Sequence, residues 1–142
     1  MKEQNYSNHS RLIPGFHYFI LPGSLILVIG SIVNLIKTPH EGLYSASLIT
    51  FGAIILLFTT LFARGFALRA QDRVIRAEEN FRYFLLTKET LPKELTMRQI
   101  IGLRFASDEE FLSLIQKAIK DKMTEKEIKK SIKNWRGDAY RV

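Results

Sequence analysis

Two long apolar runs dominate the first half of the chain. The first covers residues 15–36, the second covers residues 43–63, and neither contains a Lys, Arg, Asp or Glu residue. Each is about as long as the ~20 residues that an α-helix needs to cross the hydrocarbon core of a membrane. The segment between them, residues 37–42, is short and contains Pro39 and Gly42. The pattern therefore predicts two antiparallel spans joined by a tight turn.

The second apolar run passes into a charged segment without a proline or a pair of glycines. Residues 43–87 therefore predict one helix, lipid-soluble in its first half and amphipathic and rich in arginine in its second half. About 45 residues at 1.5 Å each give roughly 65 Å, twice the thickness of the hydrocarbon core. Apolar residues recur every three or four positions in the charged half, which predicts a core-facing stripe. The stripe consists of Phe66, Ala70, Val74, Ala77, Phe81 and Leu85.

Charged residues on the same segment are spaced for salt bridges along the helix surface. Glu78 and Arg82 are four residues apart, the spacing at which opposite charges on a helix attract each other weakly. We therefore expect Glu78 to pair with Arg82.

Small residues recur every seven positions in both apolar runs. Gly23 and Gly30 do so in the first run, and Ser45, Gly52 and Thr59 in the second. Small residues let helices approach closely in lipid, so we expect these two sets to pack the spans against each other. An interface between copies of the chain is the alternative.

Pro22 lies close to the start of the first run, and residues 1–14 before that run are polar. Proline removes a backbone hydrogen bond, which predicts a kink at Pro22 or a span that begins near it. The polar residues predict a short leader.

Three further helices are predicted after a break near Pro92. Each has a capping box at its start, in which a hydroxyl side chain is followed three residues later by Glu or Gln. The boxes are Thr96 with Gln99, Ser107 with Glu110, and Thr124 with Glu127. We expect helices over residues 97–104, 108–121 and 125–135, followed by a tail over 136–142. Such short helices do not hold alone in water, so they must pack together and on the charged half of the long helix.

These elements predict an all-α protein, a two-helix transmembrane hairpin that carries a small cytoplasmic helical bundle. The predicted divisions are a leader over residues 1–14, a hairpin over 15–63, and a helical domain over 64–142. The second span continues directly into the bundle.

Charge sets the expected orientation. The net charge is +7, and residues 64–142 hold 18 of the 21 basic and 12 of the 14 acidic residues. Five arginines follow the second span within twenty residues, whereas the turn holds only Lys37; they are Arg64, Arg69, Arg73, Arg76 and Arg82. Because basic residues stay on the cytoplasmic side, we expect both termini inside and the turn outside.

Residues typical of catalysis or metal binding are scarce. The chain has no cysteine, and His9, His17 and His40 are predicted on different sides of the membrane, so they cannot bind one metal. The acids at 108–110 suit the first turn of a helix, where they complement its dipole. We therefore expect neither an enzyme nor a cofactor.

A pore would require several copies of the chain, because two spans cannot enclose one. The side chains that could line it are Ser24, Ser31, Asn34, Ser45, Ser47 and Thr59. A subunit of a small oligomeric channel or transporter is therefore an alternative function.

Two basic features are candidates for contact with a partner. The first is an arginine set that we combine with two acids: Arg69, Arg73, Arg76, Asp108 and Glu109. The second is a set spaced for one helix face: Lys122, Lys126, Lys129 and Lys133. Anionic headgroups attract such lysines, but we favour a solvated face in which Glu125 pairs with Lys129.

The last two predicted helices have the lengths of a helix-turn-helix with a basic second helix. Base reading would fall to Lys133, Asn134 and Arg136. The turn lacks glycine, and Ile128, Ile132 and Trp135 are predicted to face the core. We therefore do not expect nucleic acid as a partner.

Four segments resemble a family of small bacterial membrane proteins of unknown function. They are LYSASLI (43–49), FALRAQDRVIRAEENFRYFLLT (66–87), RQIIGLRFASDEEF (98–111) and EIKKSIKNWRGDAYRV (127–142). The resemblance implies two spans, a helical C-terminal portion and a bacterial inner-membrane location, and it implies no activity or cofactor. We expect a membrane-tethered interaction or accessory module, with the lipid bilayer, an unidentified protein or a second copy as partner.

Overall fold

The computed structural model describes residues 5–6 and 12–137, which contain helices and no β-strand. The five α-helices in these two ranges are α1 (Leu21–Lys37), α2 (Leu43–Thr87), α3 (Met97–Leu103), α4 (Asp108–Lys120) and α5 (Glu125–Ser131). A π-helix, Gly15–Ile20, runs into α1, and a 3-10 helix, His40–Gly42, connects α1 to α2. The predicted all-helical fold is confirmed. Most of the predicted leader, and residues 138–142 of the predicted tail, lie outside the described residues.

The chain forms two compact units. The first is Leu12–Leu68, and the described part of the second is residues 69–137 with Asn5 and Tyr6. Helix α2 contributes to both units, because it is unbroken from Leu43 to Thr87. The prediction of one helix over residues 43–87 is confirmed.

Small side chains carry the contact between α1 and α2 in the first unit. The buried residues of this contact are Ser24, Ser31, Ala46, Thr50 and Ala53. Thr50 Oγ1 donates a hydrogen bond shared between the carbonyl oxygens of Ser31 and Ala46, each 3.0 Å away. Ser24 and Ser31 bond back to carbonyls of their own helix at 2.8 Å, so their hydroxyls are satisfied away from water.

The small-residue stripe that was predicted for this contact is wrong by one position on each helix. The exposed residues of the prediction are Gly23, Gly30, Ser45, Gly52 and Thr59. A Cβ atom at Gly23, Gly30 or Gly52 would meet nothing within 4 Å. A serine whose hydroxyl bonds to a carbonyl of its own helix can be buried as readily as a glycine. A spacing of seven residues is the same for adjacent helix faces, so it does not tell which face is buried.

Two helical segments are long and apolar enough to cross a membrane, judged by length and composition. They are Gly15–Lys37 and His40–Thr87, and only 11% and 17% of their most apolar windows is buried. Most of this apolar surface therefore faces outward. It includes a row of exposed phenylalanine rings. The ring centre of Phe62 lies 6.4 Å from that of Phe58 and 6.1 Å from that of Phe66.

Pro22 lies in the first turn of α1, directly after the π-helix Gly15–Ile20, so its missing N–H falls inside a continuous helical segment. The π-helix before it is joined to α1 by the bond from Leu21 N to the Phe16 carbonyl. The helical segment therefore does not begin at Pro22; it runs from Gly15 through the proline to Lys37, and the change from π-helix to α-helix lies beside the proline.

Within the described part of the second unit, thirteen buried apolar residues form one core. They are Ile75, Leu95, Ile100, Leu103, Phe105, Ala106, Phe111, Leu114, Ile115, Ala118, Met123, Ile128 and Ile132. Helices α3 and α5 lie close together at Gly102, where an added Cβ would lie 3.1 Å from Ile128 Cγ2 and 3.2 Å from the Glu125 carbonyl oxygen. Only glycine fits this crossing without displacing a neighbour.

Two of the three predicted capping boxes form. Thr96 with Gln99 caps α3, and Thr124 with Glu127 caps α5. The box predicted at α4 is wrong, because Ser107 makes no capping bond. The Glu110 carboxylate instead accepts from the backbone amides of Lys133 and Asn134, at 3.1 and 3.0 Å.

Helix α4 ends in a left-handed turn at Lys122, whose φ is 47°. Met123 N donates to the Ala118 carbonyl at 3.0 Å, and Lys122 N donates to the Ile119 carbonyl at 3.3 Å. These two bonds define a Schellman motif, in which the left-handed position usually holds glycine. Lys122 is therefore a turn residue rather than a helical one.

The predicted last helix, over residues 125–135, is too long, since α5 ends at Ser131. Ile132 is extended, and Trp135 forms an isolated antiparallel bridge with Ala106. Arg136 N donates to the Phe105 carbonyl at 2.7 Å, and the Trp135 ring lies 5.1 Å from the Phe105 ring. Trp135 thus packs against Phe105 from an extended segment, which apolar spacing alone had assigned to a helix.

The predicted core-facing stripe of α2 is also wrong. The second unit packs on Ile75, Glu79 and Arg82, which we call the inner face of α2. Five residues of the predicted stripe are exposed within this unit, and Phe66 is exposed as well. With the neighbouring Phe84, the five form what we call the outer face of α2: Ala70, Val74, Ala77, Phe81, Phe84 and Leu85.

Candidate functional site

Arg82 is the centre of the polar contacts on the inner face of α2. It is 8% exposed, and its Nε lies 2.6 Å from Asp108 Oδ1. One terminal nitrogen donates to the Ala106 carbonyl at 2.8 Å, and the other lies 3.2 Å from Glu79 Oε2. The guanidinium carbon lies 4.0 Å from the centre of the Phe111 ring. One side chain thus joins α2 to the segment that leads into α4 and to α4 itself.

Arginine suits this position because its planar fork of donors can serve several acceptors while its face lies on a ring. Lysine carries a single ammonium group and could not make the same set of contacts. The Arg82 cluster, consisting of Glu79, Arg82, Ala106, Asp108 and Phe111, therefore fixes how α2 packs within the second unit.

Glu79 is the second buried charged residue of the cluster, and the burial of its carboxylate is unfavourable. It is 6% exposed, and burial raises the pKa of its carboxyl above the ordinary value of 4.5, although the nearby Arg82 acts in the opposite direction. Burial outweighs attraction because removing a carboxylate from water is expensive even beside a cation. Glu79 therefore retains its proton to higher pH in the folded protein than in the unfolded chain.

The sequence did not predict this cluster. The expected pair of Glu78 with Arg82 is wrong, because Arg82 pairs with Glu79 and Asp108 and Glu78 is exposed. A signal existed in the spacing of Ile75, Glu79 and Arg82, which are four and three residues apart and so share a helix face. A rule that looks only for apolar stripes passes over a buried face that carries two charges.

The predicted surface of three arginines and two acids is only partly assembled. Arg69, Arg73 and Arg76 are exposed on α2, and Asp108 and Glu109 are exposed in the first turn of α4. Asp108 is already held by Arg82. Among the described residues, no hydrogen bond or salt bridge joins the three arginines to either acid, and their use as one partner surface stays a prediction.

The predicted lysine face does not exist as one helix face. Lys122 lies in the turn after α4, and Lys133 lies beyond the end of α5. Lys129 is buried and pairs with Glu125 at 2.6 Å, while its ammonium lies 5.3 Å from the Phe105 ring centre. Of these four lysines, Lys126 alone is both exposed and within α5. The Glu125–Lys129 pair was expected as the competitor of lipid binding, and it forms.

The outer face of α2 is the main apolar surface that the second unit leaves uncovered. Phe81 is 62% exposed, Val74 is 55% exposed and Phe84 is 43% exposed. Large apolar side chains clustered in this way on one surface are typical of an interaction site.

The first unit contains an apolar cavity of about 490 Å³. It lies between the π-helix, the start of α1, and Leu56 and Thr60 of α2. Within residues 5–6 and 12–137, no three His, Cys, Asp or Glu side chains are grouped to bind a metal. His9 lies outside the described residues.

Comparison with known proteins places the whole chain in one group. A family model described as a family of unknown function (DUF6526) matches residues 1–142. No curated protein and no solved structure matches the chain.

Proposed function

The chain belongs to the DUF6526 family, and on that premise we propose that it is a membrane-tethered interaction module. In this proposal α1 and the first half of α2 cross the membrane. The second half of α2 and helices α3–α5 form a unit on the cytoplasmic side that binds a partner. The family has no established function, so the proposal draws on this chain's own residues.

One observation carries the proposal: α2 is an unbroken helix from Leu43 to Thr87 that changes character along its length. Its residues 43–63 are free of charged residues and expose apolar side chains, including Phe58 and Phe62. Its second half carries arginines and buries a polar inner face. In a soluble protein, a core helix of this kind would bury its apolar half instead of exposing it.

The proposed orientation follows from charge. Arg64, Arg69, Arg73 and Arg76 follow the apolar half of α2, while the turn between α1 and α2 holds one basic residue, Lys37. The positive-inside rule then puts both termini in the cytoplasm. We propose the bacterial cytoplasmic membrane as the location, because the sequence resembles small bacterial membrane proteins.

Binding, rather than transport, is the role that the exposed surfaces support. The outer face of α2 offers apolar side chains outside the proposed membrane-spanning part. A pore has less support, because Ser24 and Ser31 are buried against α2 with their hydroxyls bonded to their own helix. These are two of the six residues that were predicted as pore-lining candidates.

The proposal can be tested in cells that express the full chain with a C-terminal affinity tag. Carbonate washing of the membranes should leave the protein in the pellet. Crosslinking before solubilisation, followed by mass spectrometry, should recover a defined protein attached to residues 69–137. Release of the chain by carbonate, or recovery of the monomer with bulk lipid only, would contradict it.

Arg73→Glu supplies a matched variant for the same experiment. The arginine is exposed and lies outside the inner face, so the substitution should leave the fold intact and weaken recovery of the partner. Ion flux measured after reconstitution into vesicles distinguishes the interaction module from the channel alternative, because a tethered module should give no flux.

A further inference from the structure

The outer face of α2 has the spacing of a coiled-coil seam. Ala70, Val74, Ala77, Phe81 and Phe84 follow one another at intervals of four, three, four and three residues. This alternation puts apolar residues at the two inward positions of each heptad, where two helices meet. Three of the five, Ala70, Val74 and Ala77, are smaller than leucine, which allows two helices to approach closely.

The seam is open in the single chain. The second unit packs on the opposite side of α2, at Ile75, Glu79 and Arg82, whereas Val74 and Phe81 are more than half exposed. The helix therefore offers one face to its own chain and one to a partner.

Charge complementarity identifies the partner as a second copy. Arg73 directly precedes the inward residue Val74, and Glu78 directly follows the inward residue Ala77; both are exposed. In a parallel coiled coil in register, the residue at the first of these positions faces the residue five places later on the other helix. Arg73 of each copy would therefore face Glu78 of the other, and symmetry gives this pair twice.

The proposed membrane topology favours the same parallel arrangement. Two copies inserted in one membrane with the same topology have their α2 helices parallel, as the seam requires. An antiparallel arrangement would not bring Arg73 to Glu78. This step rests on the proposed function, because it needs α2 to be anchored in the membrane.

We propose that the protein forms a parallel homodimer through the outer face of α2, with the Arg73–Glu78 pairs setting register. The seam runs from Ala70 to Phe84, and the α3–α5 helices of each copy lie on the far sides of the paired helices. A lipid surface or an unrelated protein on the same face are the alternatives that the experiments below exclude or reveal.

The absence of cysteine makes a direct test simple. Ala70→Cys and Ala77→Cys place single thiols in the seam, and Arg69→Cys and Arg76→Cys place matched thiols one residue away on the same exposed helix. Inward residues of a parallel pair meet their own counterparts, close enough for a disulfide. Mild oxidation of membranes should join the Ala70→Cys and Ala77→Cys chains into dimers and leave the Arg69→Cys and Arg76→Cys chains monomeric.

The result that would overturn the dimer is a monomeric Ala77→Cys chain in membranes, or equal crosslinking of Ala77→Cys and Arg76→Cys. Carbonate extraction of the same samples separates the two proposals. Release from the membrane contradicts the tethered module, whereas a membrane-bound chain without the Ala77→Cys dimer contradicts the homodimer alone.

A charge exchange tests register. Arg73→Glu alone and Glu78→Arg alone each place like charges opposite one another in a homodimer, and each should lower the Ala77→Cys crosslink roughly five-fold. When the two variants are expressed together with different tags, the mixed dimer restores both opposite-charge pairs. The mixed dimer should then exceed either homodimer. A random mixture of the three species, or a yield unaffected by charge, would overturn the assigned register.

Discussion

Within the second unit, α2 buries its polar face and exposes its apolar face, the reverse of the usual arrangement. The inner face buries a glutamate and an arginine, and the outer face exposes valine and phenylalanine. Burial follows hydropathy when a helix has one partner, because the apolar stripe is the face with most to gain from leaving water. The chain itself covers the inner face, and the outer face is the surface to which the proposed partner would bind.

The inner face also shows what allows charges to be buried. Arg82 is surrounded by the Asp108 carboxylate, the Ala106 carbonyl, the Glu79 carboxylate and the Phe111 ring. A buried pair of this kind adds little net stability compared with apolar residues of similar size, but breaking it is costly. The cluster thus fixes how α2 packs within the unit, while the apolar core of α3–α5 supplies most of the burial.

The largest effect is expected when the charge at the centre of the inner face is removed. Arg82→Met should destabilise the second unit by about 3–5 kcal/mol, because it leaves Glu79 and the Ala106 carbonyl without their buried partner. Amide hydrogen exchange of α3–α5 in detergent micelles measures this loss. A change below about 1 kcal/mol would show that the inner face does not depend on the cluster.

A second test concerns the α3–α5 crossing that supports the inner face. Gly102→Val should cost about 1–3 kcal/mol by overpacking, since even a Cβ would lie 3.1 Å from Ile128 Cγ2. Gly52→Val is the matched control, because a Cβ there meets nothing within 4 Å. Hydrogen exchange of α5 should increase only in the Gly102 variant, and equal effects of the two substitutions would contradict the close crossing.

Lys122→Gly should stabilise the second unit by about 1 kcal/mol, because a left-handed residue without a Cβ removes the strain at a φ of 47°. The thermal midpoint followed by circular dichroism measures this gain. Lys126→Gly, inside α5, should instead destabilise by roughly the same amount. If both variants behaved alike, Lys122 would not be the turn residue described above.

Glu79→Gln tests the direction of the raised pKa. A raised pKa means that the contribution of Glu79 to stability is fully present below the ordinary value of 4.5 and is lost as pH rises through the folded value. Stability of the wild type minus that of Glu79→Gln should therefore fall as pH rises above about 4.5. A difference that rises with pH would mean that Arg82, rather than burial, dominates this carboxyl.

The smallest effect is expected on the outer face. Phe81→Gln should change the free energy of opening of the second unit by no more than about 0.5 kcal/mol at dilutions that keep the chain monomeric. The neighbouring Arg82→Met is the contrast on the same helix turn. The same Phe81→Gln substitution should reduce the Ala77→Cys crosslink in membranes. A large loss of monomer stability would show that Phe81 packs within its own chain.

Much of the fold was predictable from local patterns. The unbroken α2, the starts of α3, α4 and α5, and two capping boxes follow from the absence of prolines and from hydroxyl residues with Glu or Gln three places later. These signals involve residues close in sequence, so one sequence contains them in full.

Tertiary contacts account for the errors. The Glu110 carboxylate does not form the predicted capping box because it accepts hydrogen bonds from the backbone amides of residues 133 and 134. Arg82 was assigned to the surface because its acceptor Asp108 lies 26 residues away. The lysine face failed because the chain turns at Lys122 and becomes extended after Ser131. Periodicity finds a face of a helix but does not reveal which partner covers it.

The most direct test of the account is the side of the membrane on which each part of the chain lies. In the cysteine-free chain, His40→Cys places one thiol in the turn between α1 and α2, and Lys93→Cys places one between α2 and α3. An impermeant maleimide applied to intact cells should label His40→Cys alone and should label both variants after permeabilisation. Labelling of Lys93→Cys in intact cells, or failure to label His40→Cys in them, would contradict a helix that passes from lipid into the cytoplasm.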